Sequence, residues 1–227
     1  MTGLEKGKAL FEKQEFNQAI IELDIFLAQE PNNADALYTR AISYRKIEQY
    51  EKSVNDLSKI LKRLPEEATL LCDRGISHFK NKNIEAAMLD MDKAVELEPE
   101  NPFRYSSRAY IRTKTDIEGA MVDYEKAIEL DPKDEISYNN LGLLQENAGR
   151  MKAAKRSFTK SNEISGYDPE KRQEQINKEE KAEQIKTEKP TPKKQPQESL
   201  GKVMLSVFTS KKVQQEYFQF LKSKFKK

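Results

Sequence analysis

Prolines stand at positions 31, 65, 99 and 132, spaced 34, 34 and 33 residues apart. A small residue recurs in the same register early in each interval, at Gly7, Ala41, Gly75, Ala109 and Gly142. A second small residue recurs later, at Ala19, Ser53, Ala87, Ala120 and Ala154. Such a period restricts the fold to stacked copies of one unit, because a unit this short cannot bury its apolar face alone. The stretch Ala68–Asn101 shows the unit most plainly. Leu71, Arg74, Gly75 and His78 fall at three- and four-residue steps and share one face of a first helix. Ile84, Ala87, Met91, Ala94 and Val95 line a second helix, which Pro99 stops because it has no N–H to continue the ladder. Asn81-Lys82-Asn83 separates the two as a turn, since Asn competes with the helix backbone for hydrogen bonds. At the small positions the two helices are predicted to cross closely.

Five units follow: 1–33, 34–67, 68–101, 102–134 and 135–168. Unit one lacks the opening residue of the period, so the chain is expected to start inside its first helix. Unit four is one residue short at Lys114-Thr115-Asp116, in the turn between its helices, where a length change is tolerated best. Unit five has Gly166 where the proline stood, which reads as a left-handed helix cap. This layout resembles the tetratricopeptide repeat family. Asp131-Pro132 matches the family's helix-ending pair and Tyr124 its second-helix aromatic, while Leu37, Leu71, Tyr105 and Tyr138 replace its first-helix Trp. The resemblance implies an all-α fold, a right-handed superhelical solenoid of helix-turn-helix repeats. It also implies a non-enzymatic adaptor that receives a partner peptide or helix on its concave surface.

One correlation runs through the units. The seventh place holds Lys6, Arg40, Arg74 and Arg108, and the twenty-third holds Glu22, Asp56, Asp90 and Asp123. In unit five both charges vanish together, to Leu141 and Ser157. Charges that come and go as a pair predict one hydrogen-bonded ion pair per unit, between its two helices. An arginine ladder for phosphate is the other reading, disfavoured because the carboxylate partners are at hand and an unpaired buried Arg is costly.

Beyond 168 the pattern changes. Asp168-Pro169 is an N-cap followed by proline at the first helical place, opening a charged capping helix over 169–188. Residues 189–199 hold three prolines and no large apolar side chain, a flexible linker. Residues 200–227 form a basic amphipathic segment, with Val207, Phe208, Tyr217, Phe220 and Leu221 as its contact residues. Residues 1–169 carry 25 Lys and Arg against 30 Asp and Glu, and residues 170–227 carry 15 against 8. An acidic body thus bears a basic tail.

Reaction chemistry finds little to stand on. His78 is the single histidine and occupies a packing position; Cys72 is the single cysteine, so no internal disulfide or zinc site can form. The eight glycines are scattered and make no phosphate loop. No cofactor or metal is expected. No run of 18 apolar residues exists, and the N-terminus has no apolar signal core, which together predict a cytoplasmic protein. The acidic body disfavours nucleic acid.

What remains is the groove. The fifth, ninth and twelfth places of the first helices are expected to face it, placing Lys8, Phe11, Tyr38, Ile42, Arg45, Ile76, Phe79, Tyr110 and Leu143 there with Asn139. Neighbouring places add Asp73, Phe103 and Asn140. For Ile42, Ile76 and Leu143, plain packing between units is an equal reading. Some family members hold the acidic tail of heat-shock chaperones in a carboxylate clamp of Lys, Asn and Arg. Here the three possible registers put Leu4, Lys8, Thr39, Thr69 and Asp73, or Tyr38, Ile42, Asp73, Phe103 and Ser107, or Cys72, Ile76, Ser107, Ile136 and Asn140 at those places, so no such clamp is expected. Two alternatives assign the work to residues 200–227: peripheral contact with an anionic membrane, or docking of the tail into the groove of its own or a second chain.

Overall fold

The computed structural model describes residues 2–187, with side chains through Glu180. Residues 188–227, and with them Val207, Phe208, Tyr217, Phe220 and Leu221, lie outside the described residues. The described residues form eleven helices and no strand. In order they are α1 (Gly3–Glu12), α2 (Phe16–Gln29), α3 (Ala34–Lys46), α4 (Tyr50–Leu61), α5 (Ala68–Lys80), α6 (Ile84–Leu97), α7 (Pro102–Arg112), α8 (Ile117–Leu130), α9 (Glu135–Asn147), α10 (Met151–Ser165) and α11 (Pro169–Thr187). Helices α1 to α10 make five antiparallel pairs within one compact unit that ends at Tyr167. α11 belongs to a second unit, and its start is capped by Asp168, whose Oδ1 accepts from the N–H groups of Glu170 and Lys171 at 3.1 and 3.2 Å.

The first helix does not begin in mid-course. Thr2 caps α1, accepting from the N–H of Glu5 while the Glu5 carboxylate accepts from the N–H of Thr2 at 2.8 Å. The T-x-x-E spacing of a capping box was present in the sequence and supplies the missing start. The helix is 10 residues long, against 11 for α7 and 13 for α3, α5 and α9.

The turns inside the units share one backbone solution. Gln14, Glu48, Lys82 and Gly149 occupy the same place in the period, and all have φ between 62° and 74°. The next residue's N–H then reaches five residues back, as in Gln49 to the Tyr44 carbonyl at 2.8 Å and Asn83 to the His78 carbonyl at 2.9 Å. That is a left-handed cap closing the first helix. In unit three the left-handed residue is Lys82; the flanking Asn83 instead caps α6 by accepting from the N–H of Ala86. Unit four lacks the left-handed residue altogether. There Asp116 N–H bonds the Arg112 carbonyl at 2.8 Å, and Asp116 caps α8 by accepting from Gly119. So the deletion in unit four removes the strained residue of the turn. Replacing Glu48 by Gly should raise the unfolding free energy by about 0.5–1 kcal/mol. Left-handed strain of about 1–2 kcal/mol is relieved, and the greater freedom of Gly in the unfolded chain returns part of it. Urea denaturation measures the change, and a loss of stability would contradict this account of the turn.

Packing inside units one, three and five sets a glycine of the first helix beneath a large residue of the second, Leu23, Met91 and Phe158 in turn. A Cβ on Gly7 would lie 2.6 Å from Leu23 Cγ, and one on Gly142 would lie 2.7 Å from the Phe158 ring. The small positions therefore make room mainly for a side chain; at Gly75 the Ala87 carbonyl, 3.2 Å from such a Cβ, adds a backbone approach. Ala41, Ala109, Ala19, Ser53, Ala87 and Ala120 are wholly enclosed. The core runs along the pairs as three apolar clusters, around Leu23, Leu37 and Ile60, around Leu71, Met91 and Ile111, and around Tyr124, Leu141 and Leu144.

The paired charges meet as the covariation predicts. Arg40 grips Asp56 through Nε and Nη2 at 2.7 and 2.8 Å, Arg74 grips Asp90 at 2.9 and 2.6 Å, and Arg108 grips Asp123 at 2.9 and 2.7 Å. Lys6 reaches Glu22 in unit one. Unit five substitutes a buried Ser157 hydroxyl donating to Gln145 Oε1 at 2.8 Å. The third donor of each arginine reaches back to the preceding unit, from Arg40 to Asp24, Arg74 to Ser58 and Arg108 to Asp92. These guanidiniums therefore join units as well as helices, and none is left for phosphate.

Candidate functional site

The second helices α2, α4, α6 and α8 each pack on the first helices before and after them, α10 packs on α9, and α1 touches α3 and α5 touches α7 directly. The first helices carry the places expected to face a groove, and the surroundings of those side chains decide what a groove there could hold.

In units one to three most of the expected polar groups are satisfied within the chain. Lys8 Nζ lies 2.6 Å from Asp35 Oδ2. Tyr38 donates its hydroxyl to Asp73 Oδ2 at 2.8 Å, and Arg45 Nη1 donates to Asp73 Oδ1 at 2.8 Å and to the Asp73 carbonyl at 3.2 Å. Burial, reinforced by the Asp73 charge, pushes the Tyr38 phenol up to about 12, so it remains a donor at neutral pH. Ile42 is buried at 6% exposure and Cys72 at 2%, so both complete packing and neither is presented to a ligand. Phe11 turns its ring edge-on to Phe16 at 5.7 Å, and Ile76 and Phe79 are half-buried against the core of unit three.

Units four and five differ. Phe103, Tyr110, Ile136 and Leu143 are 57%, 43%, 68% and 45% exposed. Phe103 and Ile136 hold the second place of their units, and Tyr110 and Leu143 the ninth. Seven residues are about two helical turns, so each pair shares one helix face. Tyr110 joins this patch to unit three, its ring edge-on to Phe79 at 5.3 Å and its hydroxyl 3.4 Å from Lys80 Nζ. Asn139 is exposed between Ile136 and Leu143. Asn140 is partly turned inward. Ile136 and Lys80 are the residues that sequence reasoning missed; the repeat register, which puts Ile136 at the place of Phe103, was the signal for the first.

The remaining reactive groups are quiet. His78 is half-buried, and burial pulls its imidazole below the ordinary range, leaving it neutral at pH 7. Burial pushes the Cys72 thiol up, away from the reactive thiolate. Among the described residues there is no cluster of His, Cys, Asp and Glu able to hold a metal ion, and no helix long and apolar enough to cross a membrane.

Three profiles described as TPR repeat or tetratricopeptide repeat match residues 38–102, 114–149 and 136–168, together 120 of the 227 residues. The chain belongs to the tetratricopeptide repeat family. Repeats of this family are protein-interaction modules and are typically not enzymes. Solved tetratricopeptide structures share the fold. MamA is 23% identical, with 70% of this chain and 94% of that chain covered and a TM-score of 0.63. MamA from Desulfovibrio magneticus RS-1 is 20% identical, with 73% and 94% covered and a TM-score of 0.65. YrrB, a TPR protein with an unusual peptide-binding site, is 19% identical, with 71% and 84% covered and a TM-score of 0.57. A comparison with curated proteins found no match.

Proposed function

We propose that this protein is an adaptor that takes a peptide or helix of a partner protein on the inner face of units four and five. The supporting observation is the exposed apolar set Phe103, Tyr110, Ile136 and Leu143, repeated in register on α7 and α9. Large apolar side chains gathered on one face are costly to leave in water and mark a surface that another molecule covers. Aromatic members such as Phe103 and Tyr110 supply much area for little ordering entropy. Units one to three contribute the rigid frame, since Tyr38, Arg45, Asp73 and Lys8 already hold one another. The binding mode is unlike a carboxylate clamp, because Arg45 and Lys8 are engaged and the clamp places carry no free cation set. YrrB, a protein of similar fold, has a peptide-binding site, which agrees with such use of the scaffold.

Capture of binding proteins by the full-length chain tests the proposal against the variant Phe103→Ser, Tyr110→Ser, Ile136→Ser, Leu143→Ser. The variant should lose the proteins that the wild type retains, with a melting temperature within about 3 °C because the four sites are exposed. Undiminished capture would retire the reading.

A further inference from the structure

We propose that the segment received on units four and five is a cationic amphipathic one: two large apolar residues about 10 Å apart, flanked by lysine or arginine. This rests on the reading that the inner face of these units binds a partner, and adds the chemistry of that partner.

The spacing comes from the helices. Phe103 and Tyr110, like Ile136 and Leu143, are seven residues apart, which at about 1.5 Å per residue is about 10 Å along the axis. A partner helix matches this with apolar residues at i and i+7, and an extended segment matches it at i and i+3.

The charge comes from what is already engaged and what is not. α7 carries Arg104, Arg108 and Arg112, and each points its guanidinium into the chain. Arg104 bonds Glu98 at 2.8 Å and Thr69 at 2.9 Å, Arg108 holds Asp92 and Asp123, and Arg112 lies 3.1 Å from Asp116 and 3.3 Å from Asp123. α9 contains no Lys or Arg. It does carry Glu135 beside Ile136 and Glu146 about one turn beyond Leu143. Both are exposed, and neither makes an ion pair among the described residues. The carboxylates therefore bracket the apolar pair, and a ligand's cations would lie at both of its ends. Of the cations nearby, Lys80 sits on the α5 side, 3.4 Å from the Tyr110 hydroxyl, and Lys155 of α10 lines a cavity with Glu146 without an ion pair to it among the described residues. Asn139, exposed between the apolar residues, offers both an amide donor and an acceptor to the ligand backbone. An acidic segment would instead meet Glu135 and Glu146 with no α9 cation to answer it, which complementarity disfavours.

Two labelled synthetic helical peptides decide the matter, identical in carrying leucines seven residues apart and differing only in lysine or glutamate flanks. Each is titrated into the full-length chain by fluorescence anisotropy at low salt, where exposed charges are least screened. The lysine peptide should bind about tenfold more tightly, the scale of two exposed charge contacts made attractive in one case and repulsive in the other. The preference should reverse in Glu135→Lys/Glu146→Lys, and binding of the lysine peptide should fall at least about tenfold in Ile136→Ser/Leu143→Ser. Circular dichroism on each variant checks that the fold is kept. Equal binding of both peptides, each weakened by the serine pair, would overturn the cationic assignment and leave the groove reading standing. A preference that survives the charge-reversed variant, or binding that the serine pair does not affect, would overturn it by placing the contact elsewhere. If neither peptide binds, the proposal falls, and the capture experiment alone then decides the groove reading.

Discussion

Replacing Asp56 by Ala should destabilise the repeat body by about 3 kcal/mol, because it leaves two donors of the mostly buried Arg40 guanidinium without a partner and only the bond to Asp24 in place. Asp56 is 2% exposed and accepts two charge-assisted bonds from Arg40, at 2.7 and 2.8 Å. The pair itself has modest net worth against water, since both ions lose hydration on burial; the large loss comes from breaking one side of it. Two comparisons separate these terms. Glu22→Ala removes the equivalent acid of unit one, where Lys6 is 55% exposed, and should cost less than about 1 kcal/mol. Arg40→Leu/Asp56→Ser copies the arrangement of unit five and should recover much of the Asp56→Ala loss by removing the stranded charge along with its partner. Chemical denaturation of the three variants measures all of this. A full loss in the double variant would show that the pair holds the units together by more than charge balance.

Tyr124→Ala should cost about 3–5 kcal/mol, the range for deleting a buried aromatic ring and leaving a cavity. Tyr124 is 1% exposed and lies in the cluster with Ala109, Met121, Leu141 and Leu144, which belongs to units four and five together. Burial pushes its hydroxyl up to about 12. Tyr124→Phe keeps the ring and should lose no more than about 1 kcal/mol, since only the hydroxyl is removed. Since α9 packs on α8 through this cluster, Tyr124→Ala should also weaken partner capture by loosening the scaffold under Ile136 and Leu143. Thermal melting and capture, measured on the same two variants, check both effects; equal melting of the Ala and Phe variants would refute the packing role.

The period of the chain, read from Pro31, Pro65, Pro99 and Pro132, determines the helix pairs and most of their ends. Local chemistry accounts for this: caps, stops and apolar stripes act within a few residues and are written in the order of the side chains. The Arg and Asp pairs were legible for a related reason. Their partners are 15 or 16 residues apart within a unit, and their joint loss at Leu141 and Ser157 reveals the contact without any coordinates. The capping box at Thr2 was equally local and needed only the T-x-x-E spacing to be noticed.

The state of the inner face was a matter for tertiary structure. Tyr38 and Asp73 are 35 residues apart, Lys8 and Asp35 27, and Arg45 and Asp73 28, so each contact crosses from one unit to the next. Whether such groups meet depends on how the first helices are drawn together by stacking, which no single unit encodes. The sequence alone therefore determined which residues occupy the first-helix places that can line a groove. Only the stacked structure decided that units one to three engage their polar first-helix groups with one another across units, while Phe103, Tyr110, Ile136 and Leu143 of units four and five stay largely exposed, with Tyr110 alone meeting side chains of α5, Phe79 and Lys80.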